Sequence, residues 1–398
     1  MILLKKTYMK KILLIPLFMM NFNSYQEPPT VIITGSDFQG SSHEQSKNNV
    51  SNIIYQMQED NYDINGVIFC GDYTAKLNNN PQDSEEGIAY LKQSIEENNI
   101  TLNDDNLVLV QGNHDPIGTN GLSSFGNNDD KLNRYGCFVI NEDNYMWMQG
   151  KNTSDGNILT TDDELEIKKT SLALEEYLNK KEEQNFYKPI FIASHLGLHY
   201  SLRCYEDGDT HYAKYIFDVL NNHPNLNIIY LFGHNHLHDW DNYLGGSSIF
   251  LTKGDEIYLS TLENNYACYK DTLNFTYMNA GYTGYYTTDN SLDGACDILS
   301  MSLFEIYDNE VKIKRYSEDG QINLKEVGVL NTRKGSEEKL SLYPLNEDCV
   351  DEYILKLNRT NEKNNLPLIL SIIGGSLFLI VIVFLVIKKR YCNKIKNN

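Results

Sequence analysis

The stretch LVLVQGNHD, residues 107–115, joins a short apolar run to a turn that carries polar side chains. Its first four residues are β-branched or leucine, and this composition predicts a buried β-strand. Gly112 then permits a sharp turn and a close backbone approach. Asn113, His114 and Asp115 place an amide, an imidazole and a carboxylate directly after the strand. In α/β sheets, ligand sites gather at the carboxyl ends of strands, so this stretch predicts a site there.

Four other segments repeat this arrangement of an apolar run followed by a polar turn. The runs that predict strands span residues 31–34, 67–70, 190–193 and 228–232. The residues after these runs that could bind metal are Asp37, Asp72, His195 and His234. A single aspartate or histidine at a strand end is usually a turn or capping residue. Five such ends in one chain instead predict a shared metal site at the carboxyl ends of the strands.

The remaining pattern predicts an α/β fold. Helical periodicity covers residues 46–59, 87–97, 161–183 and 212–221, and these stretches alternate with the strands. Strand–helix alternation with short connections predicts a parallel sheet. After Trp240 the pattern changes to short apolar runs at residues 249–251, 277–280, 303–306 and 311–313. These runs predict a second, antiparallel-rich sheet, and hence a two-sheet β-sandwich flanked by helices.

The charge of the chain indicates which classes of molecule it is suited to bind. The chain has 398 residues and a formal net charge of -20, with 54 acidic against 34 basic residues. Nucleic-acid binding leaves a basic footprint that is missing here, so we expect no nucleic-acid partner. The negative charge would also repel polyanionic substrates unless metals neutralise the site locally. The seven cysteines contain no CxxC pair, and Cys70, at a predicted strand end, is interpreted as a packed thiol.

Both ends of the chain have patterns typical of membrane targeting. Lys10 and Lys11 precede an apolar run over residues 12–20, which predicts a signal peptide within residues 1–25. Near the other end, residues 366–387 are apolar apart from serines and glycines. At about 1.5 Å per residue, this segment is long enough to cross a hydrocarbon core of about 30 Å. It is therefore predicted to be a transmembrane helix.

These two segments predict the topology. The basic cluster 388–390 follows the apolar segment at once, and positive charge marks the cytoplasmic side, so residues 388–398 are predicted to be a cytoplasmic tail. The prediction is a single-pass type I protein of the plasma membrane. Its large domain, residues 28–320, would lie outside the cytoplasm, and the polar residues 321–365 would form an extension or stalk.

The five segments resemble the calcineurin-like metallophosphoesterase superfamily over about residues 30–315. The superfamily pattern is D-x-H, then G-D, then G-N-H-[DE], then a lone H, then G-H-x-H, in this order. Four of the five motifs match, at residues 71–72, 112–115, 195 and 233–236. The resemblance implies the superfamily's two-sheet fold and a site for two divalent or trivalent metal ions, drawn from Mn, Fe, Zn, Co or Mg. It also implies that the substrate is a phosphate ester.

The resemblance also implies a role for each motif residue. Asp37 would bind the first metal and Asp72 would bridge both metals. Three residues would bind the second metal, and a fourth would return to the first; in that order they are Asn113, His195, His234 and His236. His114 would be catalytic rather than a ligand, facing the phosphate to stabilise charge or to protonate the leaving oxygen. A metal-bound hydroxide would then attack phosphorus in line.

The first motif departs from the superfamily pattern. It is Asp37-Phe38-Gln39, with glutamine where the pattern has histidine. The amide oxygen of Gln39 would be a weaker, neutral metal ligand, or would bond to metal-bound water. His43 is a conceivable substitute ligand, although a plain loop histidine is the simpler interpretation. Two function hypotheses follow: a metal-dependent phosphatase or phosphodiesterase, and a binding ectodomain that keeps the fold with weak or no activity. His199 is a further, weaker candidate for substrate contact.

Overall fold

The fold comes from a computed structural model of the chain. It describes residues 28–40, 42–74, 80–102, 106–112, 114–115, 161–199, 213–234, 250–261, 268–284, 299–324 and 350–358, and the backbone of residues 135–140 and 143–148. The helices are α1 (His43–Glu59), α2 (Pro81–Glu96), α3 (Thr161–Glu183) and α4 (Ala213–Asn221). The strands before α4 are β1 (Thr30–Gly35), β2 (Ile64–Cys70), β3 (Leu107–Val110), β4 (Tyr135–Ile140), β5 (Asp143–Met148) and β6 (Ile190–Ala193). The strands after α4 are β7 (Ile228–Phe232), β8 (Phe250–Leu251), β9 (Glu256–Ser260), β10 (Cys268–Thr272), β11 (Thr276–Asn279), β12 (Met301–Ile306), β13 (Glu310–Ser317), β14 (Gly320–Ile322) and β15 (Tyr353–Lys356).

The first sheet contains the three amino-terminal site strands. Within the described residues it has seven strands in the order β14-β13-β12-β1-β2-β3, with β15 also paired to β13. β1, β2 and β3 run parallel, whereas β12 pairs with β1 in the antiparallel sense. The predicted parallel arrangement of the first three strands is therefore confirmed. The loops that follow β1, β2 and β3 lie at one edge of this sheet.

The second sheet contains the two remaining site strands. Its order is β6-β7-β11-β8, with β6, β7 and β11 parallel and β8 antiparallel. The predicted two-sheet fold is thus present, but the strands are divided differently from the expectation. β6 and β7 belong to the second sheet, and β12 and β13 extend the first. Every residue of β12 is buried, so this strand suits a central position beside β1 rather than a separate exposed sheet.

Alternation along each strand builds a four-layer arrangement of helices, sheet, sheet and helices. Ile32 of β1 and Ile68 of β2 face the other sheet, in one core with Phe191 and Leu231. The alternate residues of β1 and β2 face α1 and α2 instead. The outer face of the second sheet packs against α3 and α4. The two sheets therefore pack face to face around one core, and the carboxyl ends of their parallel strands lie close together.

Capping residues explain where the first two helices begin. The Ser42 side chain accepts a bond from the Gln45 amide, so α1 begins three residues before its predicted start. Asn80 caps α2 in the same way, and Pro81 takes its first position. α2 thus begins six residues before its predicted start at Gly87, which lies inside the helix. The α1 side chains at positions 50, 53, 54 and 57 are buried at helical spacing.

The segment predicted as an extension contributes to the domain. β14 and β15 both pair with β13, so parts of residues 321–365 complete the first sheet. Within the described ranges, no helix combines the length and apolarity that a membrane crossing requires. The predicted signal peptide, residues 1–25, and the predicted transmembrane segment, residues 366–387, lie outside those ranges.

Candidate metal centre

The turn after β2, residues 70–74, presents Asp72 and is here called the Asp72 turn. Its carboxylate is fully buried. Oδ1 accepts a hydrogen bond from the His114 backbone amide at 2.9 Å, and Oδ2 lies 3.3 Å from His195 Nε2. Burial raises the pKa of Asp72, but the positive charges of His195 and His114 outweigh it and lower the pKa below its usual range. Asp72 is therefore held in its ionised, metal-binding form.

His195 follows β6 and is oriented by the backbone of β2. Its Nδ1 lies 2.6 Å from the Cys70 carbonyl oxygen. Because a carbonyl only accepts, Nδ1 donates its proton there, and Nε2 faces Asp72. An imidazole that donates one N–H to a carbonyl is the usual arrangement for a metal-binding histidine. Burial lowers the pKa of His195, but the Asp72 carboxylate raises it more strongly, to about 9. Cys70 itself is free and buried, as predicted.

The turn after β1, residues 35–39, presents Asp37 and is here called the Asp37 turn. Asp37 is fully buried. Its Oδ2 accepts hydrogen bonds from the Ser36 hydroxyl at 2.6 Å and from the His234 backbone amide at 2.9 Å. The Asp37 amide donates to the Gly71 carbonyl at 2.9 Å. The Asp37 turn is thus connected to the Asp72 turn in its own sheet and to the end of β7 in the other.

The backbone is strained at three of the candidate ligands. Asp37, Asp72 and His234 have φ angles of 51°, 62° and 67°, in the left-handed region. The other described non-glycine residues with positive φ are asparagines, at positions 61, 99 and 185. Asparagine tolerates this region well, and aspartate and histidine are also enriched there. Strained backbone of this kind clusters at functional sites, where the surrounding structure maintains it.

Three of the predicted ligands come together. Asp37, Asp72 and His195 each offer one ligand atom, and these atoms all lie within 4.8 Å of one another. All three residues are buried. The ring of His234 stands edge-on to that of His195, with centroids 5.3 Å apart. Carboxylate and imidazole donors suit divalent metals, and a cation offsets the repulsion between two buried carboxylates. The residues therefore fit a metal ion.

Two motif glycines allow the loops to approach this closely. A Cβ on Gly112 would lie 2.0 Å from Asp72 Oδ1, and a Cβ on Gly71 would lie 2.6 Å from His195 Nδ1. Gly71 also has a φ of 91°, which other residues rarely adopt. The predicted close approach at Gly112 is confirmed, and Gly71 permits a second one.

Of the remaining predicted site residues, some lie near the centre and others lie outside the described part of the chain. Gln39 is fully buried, two residues beyond Asp37, and the His114 backbone lies beside Asp72. Asn113 and His236 lie outside the described residues, so their roles stay predictions.

His43 is the first residue of α1 rather than a loop residue, and its Nε2 donates to the Tyr73 carbonyl at 3.1 Å. It groups with Asp83 and Glu86, not with the Asp37 group.

His199 is part of the core. It is fully buried, and its Nδ1 lies 2.5 Å from the Tyr277 hydroxyl. That hydroxyl also accepts the backbone amide of Leu198 at 2.8 Å. The ring of Tyr277 stacks on Phe232, with centroids 4.8 Å apart. His199 therefore fixes the loop after His195 against β11 and β7, and neither a substrate contact nor a surface role describes its position.

The sequence did not assign a supporting role to several residues around the site. Asp115 is buried, and its carboxylate bonds to the backbone of the Asp72 turn. Burial raises the pKa of Asp115, and the negative charge of Asp72 raises it further, to about 6. Ser36 and the segment 280–284 support the Asp37 turn. The sequence signal for Asp115 was its place in the G-N-H-D motif, whereas Ser36 has no such signal.

Comparison with known proteins defines the class. The family model described as calcineurin-like phosphoesterase matches residues 36–238, just over half of the chain. The chain belongs to this family, whose members act on phosphate esters and typically bind two metal ions.

Solved structures show only distant likeness. A dimetal phosphatase from Danio rerio has 10% sequence identity and a TM-score of 0.46, and the alignment covers 74% of this chain and 98% of that one. GAP50, described as the anchor in the inner membrane complex of Plasmodium, has 13% identity and a TM-score of 0.39, with 85% and 91% covered. A search of curated proteins found no match.

Proposed function

We propose that the protein is a metal-dependent phosphoesterase that hydrolyses a phosphomonoester or phosphodiester outside the cytoplasm. The observation that supports this most is the convergence of Asp37, Asp72 and His195 within 4.8 Å at the strand ends of two sheets. Membership of the calcineurin-like phosphoesterase family supports the same class of reaction. The net charge of -20 is consistent with this proposal, because bound metal would neutralise the site for an anionic substrate.

The proposed centre would hold two metal ions with residues from five strand ends. Asp72 would be the ligand shared by both ions, the role that the family pattern implies, and its two carboxylate oxygens face different partners. The remaining ligands are proposed from the family pattern, with Asp37, Gln39 and His236 on one metal and Asn113, His195 and His234 on the other. When bound, such ions polarise phosphoryl oxygens and lower the pKa of a bound water to about 7.

The chain itself would contribute orientation and protons. The Cys70 carbonyl accepts the Nδ1 proton of His195 and orients the ring so that Nε2 is the nitrogen that faces Asp72 and would bind a metal. The backbone amide of His114 donates to Asp72 Oδ1, and the positive charge of the His114 imidazole lowers the pKa of Asp72. We propose that this imidazole faces the phosphate and gives a proton to the leaving oxygen, the role that the family pattern implies.

Substitution of the bridging ligand tests the proposal. We expect Asp72→Asn and His234→Ala to abolish metal-dependent hydrolysis of an aryl phosphate while the protein stays folded. The matched control is His223→Ala, which removes another buried histidine, at the far end of α4 beside Glu182. Full activity in either site variant would refute the assignment. A panel of phosphomonoesters and phosphodiesters, run with metal analysis of the same sample, would identify the substrate class.

The location is proposed from the two ends of the sequence. Residues 1–25 and 366–387 have the patterns of a signal peptide and a transmembrane helix, and basic residues follow the second. We expect a protease added to intact cells to remove the metal-binding domain and to leave residues 388–398 protected. An intact domain under these conditions, with degradation only after permeabilisation, would contradict an extracytoplasmic site.

A second candidate function rests on Gln39. An amide is a weaker ligand than the imidazole of the family pattern, so the protein could be a binding ectodomain with weak or no activity. Metal content separates the two functions. A purified protein that contains no metal and stays inert with added manganese favours the binding function. Two equivalents of metal with ester turnover favour the enzyme.

A further inference from the structure

Asp115 lies next to the candidate metal centre, where its carboxylate bonds to the backbone of the Asp72 turn. It is 1% exposed, and within the described part of the chain its carboxylate contacts these four donors. Oδ2 accepts the backbone amides of Asp72 at 2.8 Å and Gly112 at 2.7 Å. Oδ1 accepts the backbone amide of Tyr73 at 2.9 Å and the hydroxyl of Ser84. One carboxylate thus joins the turn after β2, the turn after β3 and the first turns of α2.

This arrangement needs an acceptor at both carboxylate oxygens, because a backbone amide points at each of them. Two amides point at Oδ2, and an amide and a hydroxyl point at Oδ1. An asparagine in the same place would bring its NH₂ group against at least one backbone N–H, because that group has hydrogens but no acceptor. Hydrogen bonds to a charged acceptor are also stronger than those to a neutral one. The site therefore requires two acceptor oxygens at position 115, and an asparagine of the same size does not replace the aspartate.

The turn that Asp115 holds is strained and is fixed from several directions. Asp72 has a φ of 62°. The carbonyl of the next residue, Tyr73, accepts from His43 Nε2 at 3.1 Å, and its hydroxyl donates to the Val110 carbonyl at 2.9 Å. A Cβ on Gly87 would lie 1.8 Å from the Tyr73 carbonyl oxygen, so α2 packs directly on the turn. Among these contacts, only Asp115 bonds to the two backbone amides that flank the Cα of Asp72, those of Asp72 and Tyr73.

We infer that Asp115 is the positioning residue that holds Asp72 in its metal-binding geometry, with Ser84 linking that function to α2. This inference rests on the proposed function for its use in catalysis, but the contacts belong to the chain itself. A positioning role differs from general stabilisation. It predicts that loss of the carboxylate loosens the Asp72 turn specifically and weakens metal binding, since supporting groups of this kind typically contribute about 10- to 100-fold in metal affinity.

The test compares four variants of the full chain. Asp115→Asn removes the charge at constant size, Asp115→Glu keeps the charge, and Ser84→Ala removes one of the four donors. Glu305→Gln is the matched control, because it also converts a buried carboxylate to an amide, in β12. For each variant, hydrogen–deuterium exchange of the peptides that cover residues 70–74 and 110–112 is measured, with manganese titration and steady-state kinetics.

The expected results form a graded series. In Asp115→Asn, exchange in both peptides rises, the manganese concentration for half-occupation rises about 10- to 100-fold, and kcat falls more than KM changes. Asp115→Glu recovers part of each effect, and Ser84→Ala gives a rise of a few-fold, smaller than that of Asp115→Asn. Glu305→Gln leaves exchange at residues 70–74 and manganese affinity at the wild-type values.

Other outcomes separate this inference from the proposed function. Wild-type exchange and manganese affinity in Asp115→Asn would overturn the positioning role, whether or not the protein hydrolyses an ester. If Asp115→Asn does not fold, Ser84→Ala decides the question, and unchanged exchange in that variant overturns the inference. A wild-type protein that binds manganese but hydrolyses no phosphate ester would refute the proposed function alone, because the exchange and titration measurements do not depend on turnover.

Discussion

The Asp72 turn and the Asp37 turn each present one buried carboxylate to the same centre, but they are held by different means. The Asp72 turn is bound by a charged group, Asp115, from the neighbouring strand end of the same sheet. The Asp37 turn is bound by neutral groups from a distant part of the chain. The Ser36 hydroxyl contacts the Gly281 carbonyl, and the Ser36 carbonyl accepts the Thr283 amide at 3.2 Å and its hydroxyl at 3.0 Å.

This difference indicates how the two sheets meet. Segment 280–284 follows β11 of the second sheet, and the Ala280 amide donates to the Phe232 carbonyl at 2.7 Å. It also bonds to the first sheet, through Thr34 and Ser36. The Ser36 contacts of the Asp37 turn therefore come from the meeting of the two sheets, whereas the amides of the Asp72 turn are held by Asp115 from the same sheet. Hydrogen bonds to charged groups contribute about 1.5–3 kcal/mol and neutral ones about 1 kcal/mol, so we expect the Asp72 turn to be the more rigid.

The largest expected effect comes from crowding the Asp72 turn. In Gly112→Ala, the new methyl group would lie 2.0 Å from Asp72 Oδ1, so the carboxylate must move. A displacement of about 1 Å in a catalytic site can cost about 100-fold in rate, and we expect at least that loss of kcat/KM on an aryl phosphate. Far-ultraviolet circular dichroism should show that the variant is folded. Wild-type turnover would mean that Asp72 is not a ligand in this geometry.

A smaller effect is expected from the Asp37 turn. Ser36→Ala removes the hydroxyl that lies 2.6 Å from Asp37 Oδ2, but the His234 amide still holds that oxygen. One bond to a charged group corresponds to roughly tenfold in affinity, so we expect manganese binding to weaken about tenfold and activity to persist. The matched control is Ser171→Ala, which removes a buried hydroxyl from α3. A hundredfold loss in Ser36→Ala would show that both turns are held equally.

The smallest expected effect lies away from both turns, at Glu305. Burial raises the pKa of Glu305, but hydrogen bonds from Tyr307 and Lys314 outweigh it and lower the pKa. A depressed folded-state pKa contributes stability above the unfolded value, about pH 4.3, and that stability is lost as the pH falls through the folded value. We expect Glu305→Gln to lower the free energy of unfolding by about 1 kcal/mol at pH 7 and by less below pH 4.

Urea titration of the wild type and Glu305→Gln at both pH values measures this difference. Lys314 lies 3.0 Å from Glu305 and 3.1 Å from Glu352, so the ion pair connects β12, β13 and the segment that leads into β15. Metal affinity should stay constant in this variant. A stability difference that grows on acidification would contradict the assigned direction of the pKa.

Short sequence patterns predicted the strands and most residues of the candidate metal centre. The apolar runs at β3, β6 and β7 predicted those strands with their observed bounds, because a buried strand needs a continuous apolar stretch. The glycines next to Asp72 and Asn113 indicated where loops approach closely. The starts of α1 and α2 were placed too late, since Ser42 and Asn80 cap helices whose first turns are polar.

Long-range pairing could not be predicted in the same way. β1 pairs with β12, with Ile32 opposite Phe304, although more than half of the chain separates them. Many apolar strands satisfy the same alternation, so the pattern does not say which of them become neighbours or which sheet they join. The same limit applies to Ser36 and Thr283, whose roles exist only because segment 280–284 crosses between the sheets.

Donor type and strand pattern are local properties, so the metal-binding side chains and their positions after apolar strands could be predicted without a structure. The sequence also indicated the family, since the G-D, G-N-H-D and G-H-x-H motifs occur in order. The approach of Asp37, Asp72 and His195 to within 4.8 Å is visible only in the folded chain. The tertiary structure also assigned Asp115 to the backbone of Asp72 and Ser36 to Asp37. These contacts depend on the packing of two sheets, and packing is a property of the whole chain.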